Sequence, residues 1–251
     1  MGLLVACRLV DMLLGSVVQV HVDEKLVIDD RFDDLSTIDI DGHRERIQFK
    51  HTENPDRPLT LGTFTTEARS LRLDLVVACI LADRSGPGRD ATSYSYRIVL
   101  RDTFPVDPVL TAVLKPLAEN DPGPFLSESV TRRFRFDAAA LWTQRNASAT
   151  GGTIGPFSSF ADYQTLTFDD LEWACQHLVI EVGAPSASAD LAAPDTAERL
   201  LLNRMRAEVG AEAFPNVDRG AVDVAAAMIS TARAARQGRV VVTAELVGKP
   251  S

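Results

Sequence analysis

Apolar residues recur at helical spacing from Leu3 to Leu14, where Leu3, Leu4, Val5, Leu9, Val10, Leu13 and Leu14 cover much of one cylinder and Gly15 ends the run. Val17 to His21 then alternates in the β-branched manner of a strand, and Lys25 to Asp29 is a second, short extended candidate. Leu35 to Ile40 and Arg46 to His51 form the two arms of a hairpin turning at Asp41-Gly42, a dipeptide suited to tight turns. The Pro- and Asn-bearing loop 54–58 follows. Thr65 then caps a long helix running from Thr66 to about Ala82, the segment Ser85-Gly86-Pro87-Gly88 breaks it, and Tyr94 to Leu100 is a strand. Helix, strands, hairpin, helix, strand is the order of an α/β layer arrangement.

The second half of the chain reads as more helical. Asp107 to Leu117 and Phe136 to Gln144 are helix candidates, and Asn146 to Ser159 is a loop of small residues. Thr167 with Asp170 makes a capping pair for a short helix leading into an extended stretch, His177 to Val182. Gly183 to Pro194 is rich in Ala, Ser and Pro. Two helices follow, Asp195 to Val209 and Ala221 to Arg236, stopped by Gly210 and Gly238, and Arg239 to Leu246 closes the pattern. The organisation this predicts is a core over 1–182, a linker over 183–194 and a small helical extension over 195–251.

Composition narrows the class. A chain of 251 residues with 45% hydrophobic and 24% charged content is that of a folded, soluble protein. The longest apolar stretch, Leu75 to Ala82, is too short for a bilayer, and Arg8 and Asp11 interrupt the N-terminal run, which reads as a buried helix and not as a signal peptide. No membrane association is expected. Cys7, Cys79 and Cys175 are scattered through apolar segments, as buried free thiols of a reducing cytoplasm are. The net charge of −9 argues against tight autonomous DNA binding, which favours basic surfaces.

The chemistry concentrates in the hairpin. Only four lysines occur, Lys25, Lys50, Lys115 and Lys249, and Lys50 sits in an apolar strand beside Gln48. Side chains alternate across a strand, so Gln48 and Lys50 share one face while Ile47 and Phe49 point the other way, into the core. Counting out from the turn sets Gln48 level with Ser36 and leaves Asp34 one pair nearer the open end. A carboxylate and an amide oxygen there are ligands for one hard divalent cation, with Lys50 beside its water to stabilise charge on a phosphorane. Asp33 is an exposed neighbour, and Asp39 and Asp41 are turn carboxylates. His51 is either a phosphate contact or a surface histidine. His21, His43 and His177 have no partners at metal-ligand spacing. Arg132, Arg133 and Arg135 interleave with Phe134 and Phe136, which reads as an amphipathic strand with a solvated basic edge ahead of a DNA-facing stripe.

Asp33-Asp34-Leu35, a gap of thirteen residues after Asp34, Gln48-Phe49-Lys50-His51, Leu59-Thr60 and the helix from Thr66 together resemble the PD-(D/E)xK, or restriction-endonuclease-like, superfamily. Within it they resemble the double-stranded-DNA endonuclease domain of CBASS-type antiphage effectors. Asp170-Leu171-Glu172 and the two-helix tail are similar too. The likeness covers most of the chain, and its specific part is the hairpin. Gln48 departs from the commoner Asp or Glu.

The resemblance implies a mixed central sheet flanked by helices, with a C-terminal helical subdomain. It implies a magnesium- or manganese-dependent endonuclease cutting double-stranded DNA in bacterial antiphage defence, with Asp34, Gln48 and Lys50 catalytic and the metal on Asp34 and Gln48. The superfamily's first helix usually carries a polar residue near the metal. Here that helix begins near residue 3, and Glu24 is the substitute candidate. One-metal sites nick one strand each, so a homo-oligomer is expected. An ATPase or ligand-sensing element is expected either on a separate chain or in a longer parent protein. The alternative is a nuclease-fold module that binds DNA or assembles without cutting. Serine-hydrolase, Walker and dinucleotide motifs are absent from the sequence.

Overall fold

The computed structural model describes residues 5, 8, 9, 11, 12, 15–26, 30–50, 58–65, 71–85, 94–100, 102, 105, 107–117, 132–149, 166–183 and 241–243, with backbone alone for 132, 145–149 and 241–243. Its strands are β1 (Val17–Val22), β2 (Leu35–Asp39), β3 (Arg44–Lys50), β4 (Tyr94–Leu100), β5 (Leu114–Pro116), β6 (Arg132–Phe136), β7 (Leu178–Val182) and β8 (Val241–Thr243). They join in one mixed sheet of order β5-β6-β7-β4-β3-β2-β1-β8. The chain is thus an α/β protein with helices packed on a mixed sheet.

β1, β2 and β3 form an antiparallel meander, whereas β3, β4 and β7 run parallel. Parallel neighbours need a crossover. Between β3 and β4 it contains the helices α1 (Gly62–Thr65) and α2 (Leu73–Arg84). Between β4 and β7 lie α3 (Pro108–Thr111), the β5–β6 pair, α4 (Ala138–Ala149) and α5 (Phe168–His177). Positions 5, 8, 9, 11 and 12 are helical, as the spacing of Val5 and Leu9 predicts.

Local chemistry accounts for most boundaries. At the hairpin tip the Asp39 carboxylate accepts from the backbone N–H groups of Asp41 and His43, and Gly42 takes a φ of +82° that favours glycine. Asp39 is therefore the turn carboxylate expected of it. Thr167 accepts from the Asp170 N–H and returns its hydroxyl proton to the Asp170 carboxylate, which opens α5 as a capping pair.

Several expected boundaries move. Thr65 does not cap a long helix: it ends α1, its hydroxyl bonds back to the carbonyl of Leu61 just before that helix, and α2 starts only at Leu73. The helix expected from 107 stops after one turn, because Asp107 and Pro108 favour a start but β5 pairing with β6 claims Leu114 onward. Phe136 ends β6 instead of opening a helix, and α4 runs on to Ala149, so Asn146 is helical. Lys25 and Leu26 are irregular, not extended. The expected helical extension contributes a strand, since Val241–Thr243 pairs with β1. The expected helices 195–209 and 221–236 lie outside the described residues, as do Cys7, Asn54 and Gly86.

Both faces of the sheet are covered. On one, Tyr96, Ile98, Leu100, Leu178, Ile180 and Val182 pack with Val76, Val77 and Ile80 of α2 and Leu171, Ala174 and Cys175 of α5. The other buried apolar residues, among them Val5, Leu9, Met12, Val20, Val22, Leu35 and Ile47, share the opposite face with the N-terminal helical segment. That face also carries an ion-pair ladder across four strands. Glu45 pairs with Arg8 and Arg97, and Glu181 with Arg97 and Arg133. Despite burial, the Arg97 and Arg8 guanidinium groups hold the Glu45 carboxyl below the usual range. Arg133 is thus an ion-pair partner in the sheet and not part of a solvated basic edge, while Arg135 is exposed.

Cys79 and Cys175 are free and buried, and burial pushes their thiols up to about 11 and about 12. Both should resist alkylation at neutral pH in the folded protein and react on unfolding. Stoichiometric native-state labelling of either, read by mass spectrometry, would contradict their burial. Among the described residues no helix is long and apolar enough to cross a membrane.

Candidate active site

β3 places Gln48 and Lys50 at its C-terminal end, beside the C-terminal end of the parallel β4, where open α/β sheets offer their ligand crevices. The hairpin brings Asp34 to the same point. The last rungs of the ladder pair Ser36 with Arg46 and Leu35 with Ile47, so the next position along sets Asp34 directly across from Gln48. This corrects the register expected from turn counting, which set Gln48 level with Ser36. The loop holds three residues, Ile40-Asp41-Gly42, because Asp39 N–H bonds to the His43 carbonyl. The partner of Gln48 moves by two positions, an even number, so Asp34, Gln48 and Lys50 share a face.

The face assignment needs a second correction. Ile47 is fully buried, but on the side of the N-terminal helical segment. Gln48 and Lys50 lie level with Ile98 and Leu100, on the face of the larger core. Gln48 is only 6% exposed, and Lys50 is half-buried at the rim.

The contacts at this point are specific. The Asp34 carboxylate accepts from the Phe49 backbone N–H at 2.7 Å, and its same Oδ2 accepts from Gln48 Nε2. That nitrogen also lies 3.4 Å from the Phe49 carbonyl oxygen. A carboxylate oxygen and a carbonyl oxygen therefore converge on one electropositive group. Lys50 makes no hydrogen bond or ion pair among the described residues, but its charge reaches Asp34. Burial raises the Asp34 carboxyl above its usual value, and Asp33 and Asp23 raise it further, against the opposing Phe49 N–H and Lys50.

Asp23 is the acidic neighbour that sequence reasoning missed. It follows β1, holds a φ of 56° unusual for a non-glycine residue, and donates its N–H to the Asp34 carbonyl. Glu24, the candidate from the sequence, turns elsewhere: Oε1 lies 3.0 Å from His21 Nδ1 and Oε2 3.5 Å from Arg44, and the His21 contact is the main reason its carboxyl is lowered. Asp33 faces Lys25 at 3.7 Å. His51 lies outside the described residues. His43 bonds to Ser95 and His177 stacks on Trp173, both away from Asp34 in the sheet.

The donors fit one hard cation in part. Asp34 Oδ2, Phe49 O and, after a half-turn of its amide, Gln48 Oε1 are oxygen ligands of the type Mg2+ and Mn2+ prefer. Among the described residues no group of three or more His, Cys, Asp or Glu side chains is arranged to hold a metal, so water and phosphate oxygens would complete the shell.

Asp34 carries a consequence for stability. Its carboxyl titrates higher in the folded protein than in the unfolded chain, so its contribution worsens as pH rises through the carboxylate range. Without metal, Asp34→Asn is expected to raise the melting temperature modestly at neutral pH, with the gain vanishing in acid below that range. Calorimetry at several pH values checks this, and an equal loss at every pH would contradict it.

No protein-family model matches the chain, and no curated protein sequence matches it.

Proposed function

We propose that the chain is a nuclease domain of the restriction-endonuclease-like kind that hydrolyses phosphodiesters of double-stranded DNA with Mg2+ or Mn2+ as cofactor. One observation carries the reading: the Asp34 carboxylate and the Phe49 carbonyl converge on Gln48 Nε2, with the Lys50 charge beside them. The Asp34 carboxyl, raised first by burial and then by Asp33 and Asp23, is perturbed in the manner of functional-site acids.

In this reading Asp34 and Gln48 hold the cation, the Gln48 amide turning to offer its oxygen. The cation supplies Lewis-acid charge at a phosphoryl oxygen. Lys50 orients the attacking water and stabilises the charge that builds on the non-bridging oxygens. The sequence resemblance extends the proposal to antiphage defence in the cytoplasm, to a homo-oligomer that pairs two one-strand cuts, and to an ATPase or ligand-sensing partner or domain. A basic partner or domain would hold the chain on DNA against its net charge of −9.

A nuclease-fold module that binds DNA or assembles without cutting is the rival. It is favoured by the neutral Gln48, whose N–H group already satisfies Asp34. Calorimetric titration of the chain with Mn2+ separates the two. Saturable binding that disappears in Asp34→Ala is expected, and a wild-type protein that takes up no metal sinks the nuclease reading.

A further inference from the structure

We propose that Arg46 is a positioning residue that holds the acid-bearing loop and the Gln48-Lys50 strand in register, a role that rests on reading Asp34 and Gln48 as the metal site. Arg46 stands two residues before Gln48 on the same face of β3 and is fully buried. Its Nη2 donates to Asp30 and, at 3.3 Å, to the Phe32 carbonyl, while Nη1 donates to Asp83 at 2.8 Å. Asp30 in turn accepts from the backbone N–H groups of Leu26 at 2.7 Å and Phe32 at 3.0 Å. The loop between β1 and β2 is therefore pinned to β3 two residues before Asp34. Asp34 is pinned to the same strand again through Phe49 N–H. Asp83 ties the arginine to the end of α2 and also accepts from the Tyr96 hydroxyl.

The side chains of Arg46, Asp30 and Asp83 are all wholly inaccessible. A loop held this way cannot drift without leaving a buried charge unpaired, which makes the clamp discrete and not elastic. A carboxylate and an amide meant to share one cation need placement of about this stringency. Burial alone would be served as well by apolar side chains of similar volume.

The test uses two charge-conserving variants, Asp30→Glu and Asp83→Glu, each of which adds one methylene on one side of Arg46. The readouts are the titration midpoint of the Asp34 carboxyl and the Phe49 amide shift by NMR, and Mn2+ affinity by calorimetry. Asp30→Glu is expected to move both NMR signals and to weaken Mn2+ binding roughly tenfold or more. Asp83→Glu, acting from the helix side, is expected to lose comparable stability with the Asp34 midpoint in place. An unmoved Asp34 midpoint in Asp30→Glu, or equal movement in both variants, overturns the proposal. If the wild type binds no Mn2+, the metal reading fails while the NMR signals still decide the positioning role. Should Asp30→Glu not fold, wild-type amide exchange decides: Phe32 and Phe49 exchanging through one shared opening supports the clamp, and independent exchange overturns it.

Discussion

Lys50→Ala is expected to lower metal-dependent nicking of supercoiled plasmid by about 100-fold to 1000-fold, the usual cost of removing one group that stabilises transition-state charge in a water-poor site. Lys50 is suited to that role by its charge, which reaches Asp34 where the cation and its phosphate would sit. The side chain is half-buried at the rim of the sheet, so its removal opens little core and the melting temperature should hardly change. Asp34→Ala should be equally inactive, and it should also lose Mn2+ binding, which Lys50→Ala keeps. Single-turnover nicking, with circular dichroism to verify the fold, checks both. A Lys50→Ala protein that cuts at the wild-type rate removes Lys50 from the chemistry.

Arg46→Met is expected to destabilise the protein by about 3–5 kcal/mol, the range for breaking a buried ion pair from one side. The methionine fills similar volume, so the loss comes from Asp30 and Asp83, which would stay buried without their cation. Asp30 normally sits below its usual range. Burial alone would raise it, but Arg46 and the N–H groups of Leu26 and Phe32 outweigh that cost. Its contribution is therefore present above the carboxylate range and fades as pH falls through it. In the variant this support is gone, so the stability deficit should be largest at neutral pH and shrink in acid. Denaturant unfolding across pH measures it. A deficit below about 1 kcal/mol at neutral pH would mean that water reaches the two carboxylates.

Much of the fold is legible in the sequence where local signals act alone. The strand over Tyr94–Leu100, the turn at Asp41-Gly42 and the Thr167–Asp170 cap occur where periodicity and side-chain chemistry place them. The misplaced elements are those where a local signal meets a long-range partner. Asp107-Pro108 starts a helix properly, but pairing with β6 ends it after one turn. Phe136 looks like a helix opener and is instead the last residue of a strand held by Leu114. Arg133 looks like a solvated cation and is answered by Glu181, 48 positions away.

The candidate site divides in the same way. Alternation along a strand is a property of the covalent chain, so the sequence by itself put Gln48 and Lys50 on one face and Asp34 within reach of them across a hairpin. It could not say which face was the main core, because both faces of the sheet are covered and each carries apolar residues. It could not place Asp34 against Gln48, because the rung depends on how many residues the loop holds, here Ile40 to Gly42, and on a backbone bond between Asp39 and His43. Nor could it replace Glu24 by Asp23 as the neighbour of Asp34, or expose Arg46 as the cation behind the loop, since those follow from a positive φ and from carboxylates on separate elements. Tertiary structure decided them because a buried charge needs its partner in space, wherever the chain supplies it.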